Sequence, residues 1–202
     1  MKLYFAPGTC AHSPHIALRE AGLPFELVRV DLKTKRTSDG RDYLTINPYG
    51  YVPALELDDG TILTEGPAIV QYIADQAPTS GLAPANGTIA RYQLQSLLGL
   101  INSEIHKGFS PLFKPDTPDA TKAAAKAHLA SRIGELAKRL DKQDYLAGNQ
   151  FTVADGYLYT VLGWGPFVDV DINRWPSITA FMTRVAARPT VQAARAAEGL
   201  TQ

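Results

Sequence analysis

The sequence contains a single cysteine, Cys10, among its 202 residues, so the chain cannot form an internal disulfide bond. It also has no net charge, because twenty acidic residues balance twenty basic ones, and this balance does not favour a nucleic-acid or membrane-surface partner. It has neither a run of about 18 apolar residues, as a membrane span needs, nor a basic start followed by a long apolar stretch. We therefore expect a soluble, cytoplasmic protein that acts on a small molecule or another protein.

The lone cysteine follows an apparent strand and precedes an apparent helix. Residues 1–5 are apolar and aromatic, Pro7-Gly8 is typical of a turn, and residues 13–22 carry apolar side chains at helical spacing. Cys10 is therefore expected near a helix N-terminus, where unpaired N–H groups and the helix dipole favour an anion such as a thiolate. The alternative is a small buried side chain without chemistry, which is the commoner role of a lone cysteine.

The following segments predict a small mixed sheet. Residues 25–30 alternate as a half-buried strand does, which completes a βαβ unit with a parallel strand pair. The polar residues 31–41 are interpreted as a solvated loop. Two strand-like runs then meet at Asp59-Gly60, a strong hairpin signal.

The first run of this hairpin begins at Pro53. A proline restricts the residue before it to an extended conformation, so Val52 can offer its backbone N–H and C=O to an extended ligand. The alternative is an ordinary proline at a sheet edge.

A helix is predicted to begin at Glu65-Gly66-Pro67. Proline suits the first helical position, and glycine before it allows another group to approach the N-terminus, which favours an anion. Glu65 beside it would pair with a cation, so the two residues together suit a group that carries both charges, such as an amino-acid head. Taken alone, a residue such as Glu65 is more often a solvated residue at a helix start than a ligand contact.

The remainder of the chain is predicted to be helical. Residues 78–86 are rich in Pro, Ser, Gly and Ala, so we divide the chain into a first domain at 1–80, a linker at 81–87 and an all-α domain at 88–202. Helices are predicted over residues 88–107, 120–140, 156–162 and 177–187, with a proline-bearing connection at 109–118 and a helix end at Arg188-Pro189. Thr152 and Asp155 have the spacing of a capping box.

The first of these helices has a polar stripe that ends in His106. The stripe also contains Gln95, Gly99 and Asn102. Histidine titrates near neutral pH, so His106 is a candidate to act on a thiol. The alternative is a residue that compensates the dipole at a helix end.

This layout resembles the glutathione S-transferases, and among them the bacterial beta class. The resemblance covers essentially the whole chain and implies an N-terminal α/β thioredoxin-like domain of order βαβ-ββα, followed by an all-α domain that contributes to the electrophile site. Its most specific motifs are Pro7-Gly8-Thr9-Cys10, Asn47-Pro48 with Val52-Pro53-Ala54-Leu55, Leu63-Thr64-Glu65-Gly66 after Asp59-Gly60, Glu104-Ile105-His106-Lys107-Gly108-Phe109, and Phe151-Thr152-Val153-Ala154-Asp155.

The family pattern implies a role for each matching residue. Lys35 would bind the glycine carboxylate of glutathione, Val52 would pair its backbone with the cysteinyl unit before a cis Pro53, and Glu65 with Gly66 would hold the γ-glutamyl head. The implied catalytic residues are Cys10 and His106, on either side of the thiol. The implied glutathione-binding residues are Lys35, Tyr51, Val52, Pro53, Glu65, Gly66, Ser103, Glu104 and Lys107.

The resemblance also implies partners. Glutathione is the cosubstrate, no metal is expected, and a homodimer is the family norm, in which Glu104 reaches the glutathione of the other subunit. The electrophile is expected in a cleft between the domains, and the aromatic residues considered for its lining are Phe109, Phe113, Trp164 and Phe167.

Three positions depart from the family pattern. Gly99 stands where asparagine is usual, and Asn102 nearly one turn later is the candidate to replace it. Ala11 stands where serine is common, which removes a possible hydroxyl donor to the sulfur. The order Tyr4-Phe5 is reversed, so Tyr4 is expected on the opposite face of the strand from a thiol-activating position.

Three functions therefore follow as hypotheses. The leading one is detoxifying conjugation of the glutathione thiolate to small hydrophobic electrophiles, with catalysis by electrostatics and positioning. The second is a glutathione-dependent thiol transferase, or disulfide reductase, in which Cys10 itself forms a mixed disulfide. The third is a non-catalytic glutathione-binding stress protein, which the departures at Gly99 and Ala11 favour.

Overall fold

The computed structural model describes residues 1–200, which divide into two compact units. The first unit comprises Met1–Ala83 and the residues from Ala187 onward, and the second comprises Pro84–Ala186. An α/β first unit and a helical second unit are both present, so the predicted fold class is confirmed. None of the helices within residues 1–200 combines the length and the apolar character that crossing a bilayer requires.

A five-stranded mixed sheet forms the centre of the first unit. Its strands are β1 (Lys2–Phe5), β2 (Glu26–Asp31), β3 (Arg36–Thr37), β4 (Ala54–Glu56) and β5 (Ile62–Thr64). Their order is β3-β2-β1-β4-β5; β1 and β2 are parallel and the other pairs are antiparallel. The βαβ unit and the hairpin at Asp59-Gly60 are therefore confirmed, whereas β3 lies within the segment that we interpreted as a loop.

The helices of the first unit pack against this sheet or against one another. They are α1 (His12–Glu20), α2 (Gly66–Gln76) and α8 (Pro189–Glu198). Three consecutive residues of the central strand β1, Leu3, Tyr4 and Phe5, are buried, although their side chains alternate between the two faces. Both faces of the sheet are therefore covered at β1, and Cys10 lies in the turn that leads from this strand into α1.

The second unit consists of helices. They are α3 (Ile89–Leu100), a π-helix (Ile101–His106), α4 (Lys107–Phe113), α5 (Asp119–Leu140), α6 (Val153–Leu162) and α7 (Pro176–Ala186). The predicted capping box at Thr152 and Asp155 is present, and the Asp155 carboxylate accepts the Thr152 N–H at 2.8 Å. The prediction of a connection at 109–118 was wrong in its first half, because the helix continues to Phe113 with Pro111 inside it.

The end of the chain also differs from the prediction. We expected the helical domain to extend to residue 202, with Pro189 after the last helix, but α8 begins at Pro189 and packs against α1 in the first unit. Proline lacks an N–H, which costs nothing at the first position of a helix, so Pro189 begins a helix here and does not merely end the one before it.

A buried carboxylate joins α8 to α1. Glu198 Oε1 lies 2.7 Å from Nδ1 of both His12 and His15, and its Oε2 accepts the backbone N–H of Gly8 at 3.2 Å. All three side chains are at least nine-tenths buried. The last helix therefore supports the turn that carries Cys10.

The charge of Glu198 is maintained by these contacts. Burial alone would raise the pKa of Glu198, but hydrogen bonds from His12 and His15 lower it to about 2. Because this pKa lies below the value in an unfolded chain, the stabilisation is complete above about pH 4.5 and is lost as the pH falls towards 2.

Replacing Glu198 by alanine is expected to lower the free energy of unfolding at pH 7 by about 3–5 kcal/mol, because two buried imidazoles and the backbone N–H of Gly8 lose their acceptor. Guanidinium titration measures this change. Glu26→Ala, which removes an exposed glutamate from β2, is the matched control and should change stability by less than about 0.5 kcal/mol. Equal unfolding midpoints for the two variants would contradict the role assigned to Glu198.

Candidate active site

The turn after β1 presents Cys10 at the start of α1. The hydroxyl of Thr9 donates to the carbonyl of Ala6 at 2.7 Å, and the N–H of Ser13 donates to the carbonyl of Cys10 at 3.2 Å. Cys10 is half-buried, and its Sγ lies 3.3 Å from the carbonyl oxygen of Val52. The thiol donates in this contact.

A small pocket adjoins this thiol. It encloses about 60 Å³, far less than the roughly 300–1,000 Å³ of a site that surrounds a whole ligand. A few atoms, such as a thiol and its methylene, fit inside it, and the rest of a peptide-sized ligand must lie along the surface. The lining residues are Cys10, Asn47, Tyr49, Tyr51, Val52, Pro53, Thr64, Glu65 and Gly66.

The backbone beside the thiol is held by two side-chain donors. The Tyr43 hydroxyl and the Asn47 amide donate to the carbonyl of Tyr51 at 2.7 and 2.8 Å, and the next peptide bond, Val52–Pro53, is cis. Burial raises the pKa of Tyr43 to about 12, which keeps its hydroxyl a donor. Sequence reasoning assigned no role to Asn47, although the Asn47-Pro48 pair in the family motif was a signal for it.

Glu65 has an uncommon backbone conformation at the start of α2. Its φ is 66° and its ψ is 113°, outside the conformations that residues with a side chain usually adopt. Such a conformation costs on the order of 1–3 kcal/mol and is concentrated at functional sites. The Glu65 side chain is exposed at the pocket, beside Gly66.

Lys35 lies next to the pocket and does not line it. Its backbone is also left-handed, with a φ of 56°, and its Nζ donates to the carbonyl of Gly50 at 2.8 Å. The ammonium group is therefore held at Gly50, the residue before Tyr51, which lines the pocket.

The remaining predicted site residues belong to the second unit. Ser103, Glu104 and His106 lie on the π-helix and Lys107 begins α4. A π-helical turn is rare and is frequent at functional sites. The Ser103 hydroxyl donates to the carbonyl of Gly99 at 3.0 Å.

Glu104 forms ion pairs within its own unit. Its Oε2 lies 2.8 Å from Nε of Arg132 and 3.3 Å from Nε2 of His128, both on α5. These pairs are partly exposed, so they fix the position of the carboxylate more than they stabilise the fold.

His106 is surrounded by aromatic rings. Its Nδ1 lies 2.7 Å from the Tyr157 hydroxyl, and its ring meets Trp164 edge to face with the centroids 4.9 Å apart. Burial, with a smaller effect from the neighbouring Lys107, lowers the pKa of His106 to about 4. The imidazole is therefore neutral at pH 7.

The aromatic residues around Trp164 differ in exposure. Trp164 packs edge to face against Phe109, which is fully buried, and against Phe113, which is half exposed. Phe167 is 81% exposed. Phe109 is therefore a core residue, and Phe113 and Phe167 present apolar surface.

Tyr4 does not belong to the thiol site. Its hydroxyl donates to Glu56 and accepts from Arg41 at 2.8 Å, and burial, helped by Glu56, raises the pKa of Tyr4 to about 12. This agrees with the expectation that Tyr4 does not activate a thiol.

One cluster within residues 1–200 has the composition of a metal site: His12, His15 and Glu198. However, Nε of Arg19 donates to Nε2 of His15 at 2.8 Å, so the proton of the neutral ring must be on Nδ1, the atom that faces the carboxylate. Ligation through Nδ1 would move that proton onto Nε2, against the N–H of Arg19. The cluster is therefore better suited to hydrogen bonding than to binding a metal.

The fold and the pocket define a class of protein: a thioredoxin-like unit with a cysteine after its first strand, joined to a helical unit. The family model for the glutathione S-transferase N-terminal domain matches residues 8–76, and the model for the C-terminal domain matches residues 100–189. The chain therefore belongs to the glutathione S-transferase family.

Individual relatives agree with this assignment. The glutathione S-transferase GstA of Escherichia coli O157:H7 is 48% identical over 99% of this chain and all of its own length. A sphingomonad glutathione S-transferase solved with glutathione is 52% identical, with a TM-score of 0.96, and the beta-class enzyme of Sphingomonas chungbukensis is 49% identical, with a TM-score of 0.96. In both cases the whole of each chain is covered. The predicted resemblance to the bacterial beta class is thereby confirmed.

His106 is expected to titrate with a midpoint near pH 4 in an NMR titration of the histidine resonances, with the spectrum of His106→Asn identifying its signal. Since this pKa lies below the unfolded value of 6.5, the folded protein binds fewer protons and loses stability as the pH falls from 6.5 towards 4. Between pH 7 and 5 the native protein should therefore lose about 2 kcal/mol more stability than His106→Asn. A midpoint near 6.5 would contradict the neutral state of this partly buried ring.

Proposed function

We propose that the protein is a cytoplasmic, homodimeric glutathione transferase that adds the thiolate of glutathione, its cosubstrate, to small hydrophobic electrophiles. The observation that carries the proposal is the pocket in which Cys10, Val52, Glu65 and Gly66 converge. The sphingomonad relative, whose structure contains glutathione, supports the choice of thiol.

The pocket and Lys35 beside it offer partners for the cysteinyl, γ-glutamyl and glycine parts of glutathione. Val52 pairs its backbone with the cysteinyl unit, and its carbonyl, which has two lone pairs, can accept a ligand N–H as well as the Cys10 thiol. Glu65 binds the ammonium group of the γ-glutamyl head, and the N-terminus of α2 at Gly66 binds its carboxylate. Lys35 pairs with the glycine carboxylate.

Electrostatics favours the thiolate of the bound glutathione. The N-terminus of α1 places partial positive charge beside the pocket, and the Cys10 thiol can turn from Val52 to donate to the sulfur. His106 takes the proton from the thiol transiently and passes it to water, since the pKa of about 4 prevents the ring from retaining it at pH 7. Lys107, the next residue in the chain, adds a positive charge. The thiolate then attacks the electrophile, which lies against the exposed aromatic surface that includes Phe113.

Ser103 and Glu104 complete the binding of glutathione in the dimer. We assign Glu104 to the glutathione of the partner subunit, with Arg132 and His128 holding its carboxylate in place. An ordered carboxylate loses less conformational entropy on binding than a mobile one.

A second function, thiol transfer, is favoured by the half-exposed Cys10 in the pocket. The Cys10 thiolate would attack a mixed disulfide of glutathione at the glutathione sulfur, form a Cys10–glutathione disulfide and release the other thiol. A second glutathione thiolate then attacks that disulfide, forms oxidised glutathione and regenerates Cys10. Each step exchanges one S–S bond for another, so no further oxidant is needed.

Glutathione binding is expected to depend on Glu65. Glu65→Gln should weaken affinity by about 10–100-fold, because it removes one charge-assisted contact worth roughly 1.5–3 kcal/mol. Calorimetry with glutathione measures the loss, and Glu26→Gln, an exposed change on β2, should have no effect. Retention of the native protein on a glutathione-affinity column and turnover of an aromatic halide test the function itself. Retention without turnover would favour a binding protein, and no retention would contradict every glutathione-dependent function.

The role of Cys10 separates the two enzymatic functions. If Cys10 supports conjugation only by donating to the sulfur, Cys10→Ala should reduce the rate with an aromatic halide by about 10-fold or less and abolish disulfide exchange, which needs the thiolate itself. Both rates are measured on the same preparations. A glutathione adduct on Cys10 that a reductant removes, seen by mass spectrometry of the untreated protein, would support thiol transfer. Unchanged disulfide exchange in Cys10→Ala would exclude it.

A further inference from the structure

The hydroxyl of Tyr157 lies between two polar side chains of the π-helix. Tyr157 is on α6 and is 2% exposed. Its hydroxyl lies 2.7 Å from Nδ1 of His106 and donates to Oδ1 of Asn102 at 2.9 Å. Asn102 and His106 are four residues apart, so both reach the same hydroxyl.

The protons available to Tyr157 and His106 determine which group donates in each of these two hydrogen bonds. A tyrosine hydroxyl has one proton, and here that proton points to the amide oxygen of Asn102. The hydroxyl must therefore accept from His106, so Nδ1 of His106 carries a proton. A neutral imidazole has only one N–H, and burial keeps this ring neutral at pH 7.

We propose that Tyr157 and Asn102 are positioning residues that hold His106 in the Nδ1–H tautomer, so that Nε2 is the ring atom able to accept a proton. This inference rests on the proposed role of His106 as the acceptor of the thiol proton. Asn102 acts through Tyr157, because its carbonyl oxygen sets the direction in which the hydroxyl donates.

The packing around the ring supports the same assignment. The His106 ring meets Tyr157 and Trp164 edge to face, with centroids 5.9 and 4.9 Å away. A ring held on two sides cannot exchange its nitrogens by turning over without moving these neighbours. The identity of the protonated nitrogen is therefore controlled by the hydrogen bond at Nδ1.

The tautomer has a direct chemical consequence. A neutral imidazole with its proton on Nε2 cannot take a second proton at that atom and would present a donor to the thiol. With the proton on Nδ1, Nε2 presents its lone pair, and the Tyr157 oxygen stabilises the positive charge that develops on protonation. Whether Nε2 of His106 donates or accepts therefore depends on the hydrogen bond between Nδ1 and Tyr157.

The closing experiment reads the tautomer directly. Two-bond nitrogen–proton NMR spectra of the full-length protein labelled with nitrogen-15 histidine distinguish protonated from unprotonated ring nitrogens at pH 7, and His106→Asn identifies the signal. The wild type should show a proton on Nδ1 and none on Nε2. Conjugation of an aromatic halide is measured on the same samples.

Three variants test the direction of the chain. Tyr157→Phe and Asn102→Leu should both move the proton to Nε2 and lower kcat about 10–100-fold, the first because Nδ1 loses its acceptor and the second because Tyr157 is then free to donate to Nδ1. Asn102→Asp should keep the tautomer and a rate within about threefold of the wild type, since a carboxylate only accepts. Tyr159→Phe, the same change at another buried tyrosine of this helix, is the matched control and should change neither readout.

The outcomes separate this inference from the proposed function. A proton on Nε2 in the wild type, or on Nδ1 in Tyr157→Phe, overturns the inference. A changed tautomer with an unchanged rate also overturns it, because the positioning role then has no effect. If the wild type conjugates and His106→Asn does so at the same rate, the proposed role of His106 fails while the transferase function stands. No conjugation by the wild type contradicts the function itself.

Discussion

The first unit depends on a single buried negative charge. A carboxylate removed from water is strongly destabilising unless donors surround it. Glu198 meets this requirement only when α8 lies against α1, because its donors are His12, His15 and the backbone of Gly8. Gly8 is two residues before Cys10, so the contact that secures the end of the chain also secures the turn that carries the thiol.

In two histidines of this protein, the hydrogen-bond partners determine which ring nitrogen carries the proton, but the two side chains have different roles. His15 donates to a carboxylate through Nδ1 and accepts from Arg19 through Nε2, so both its nitrogens are occupied and its role is structural. His106 is fixed at Nδ1 by the Tyr157 hydroxyl. Burial and hydrogen-bond direction, not residue type, therefore distinguish the two imidazoles.

The parts of the fold that the sequence predicted are those set by local patterns. Strand alternation, the Asp59-Gly60 turn and the proline before β4 each act over a few residues, so the βαβ-ββα order followed from them. His106 could be identified as a candidate from the polar stripe because that stripe is also a local pattern. Pro189 misled the prediction, because a proline both ends one helix and begins the next.

The parts that could not be predicted depend on contacts between distant residues. Glu198 is 186 residues from His12, and Tyr157 is 51 residues from His106. Neither partner has a distinctive neighbourhood in the sequence. The π-helix also has no compositional signal, because one extra residue in a turn does not change the types of residue present.

Ala11 and Gly99, two departures from the family pattern, have different surroundings. Ala11 is fully buried in an apolar cluster with Tyr4 and Val28, so a serine hydroxyl there would have to find a partner away from water. Gly99 is exposed, and a side chain added there would meet no atom within 4 Å, so the fold does not require glycine.

Asn102 has a contact of its own that does not depend on position 99. Its amide oxygen already accepts the hydrogen bond of Tyr157, and the chain of donors that leads to His106 is complete without any residue at position 99. A polar side chain at position 99 would add a contact at the surface of the helix, whereas the amide at position 102 determines which nitrogen of His106 is protonated. Positions 99 and 102 lie on one polar stripe, but only the side chain at position 102 contacts the Tyr157 hydroxyl, so only that position affects His106.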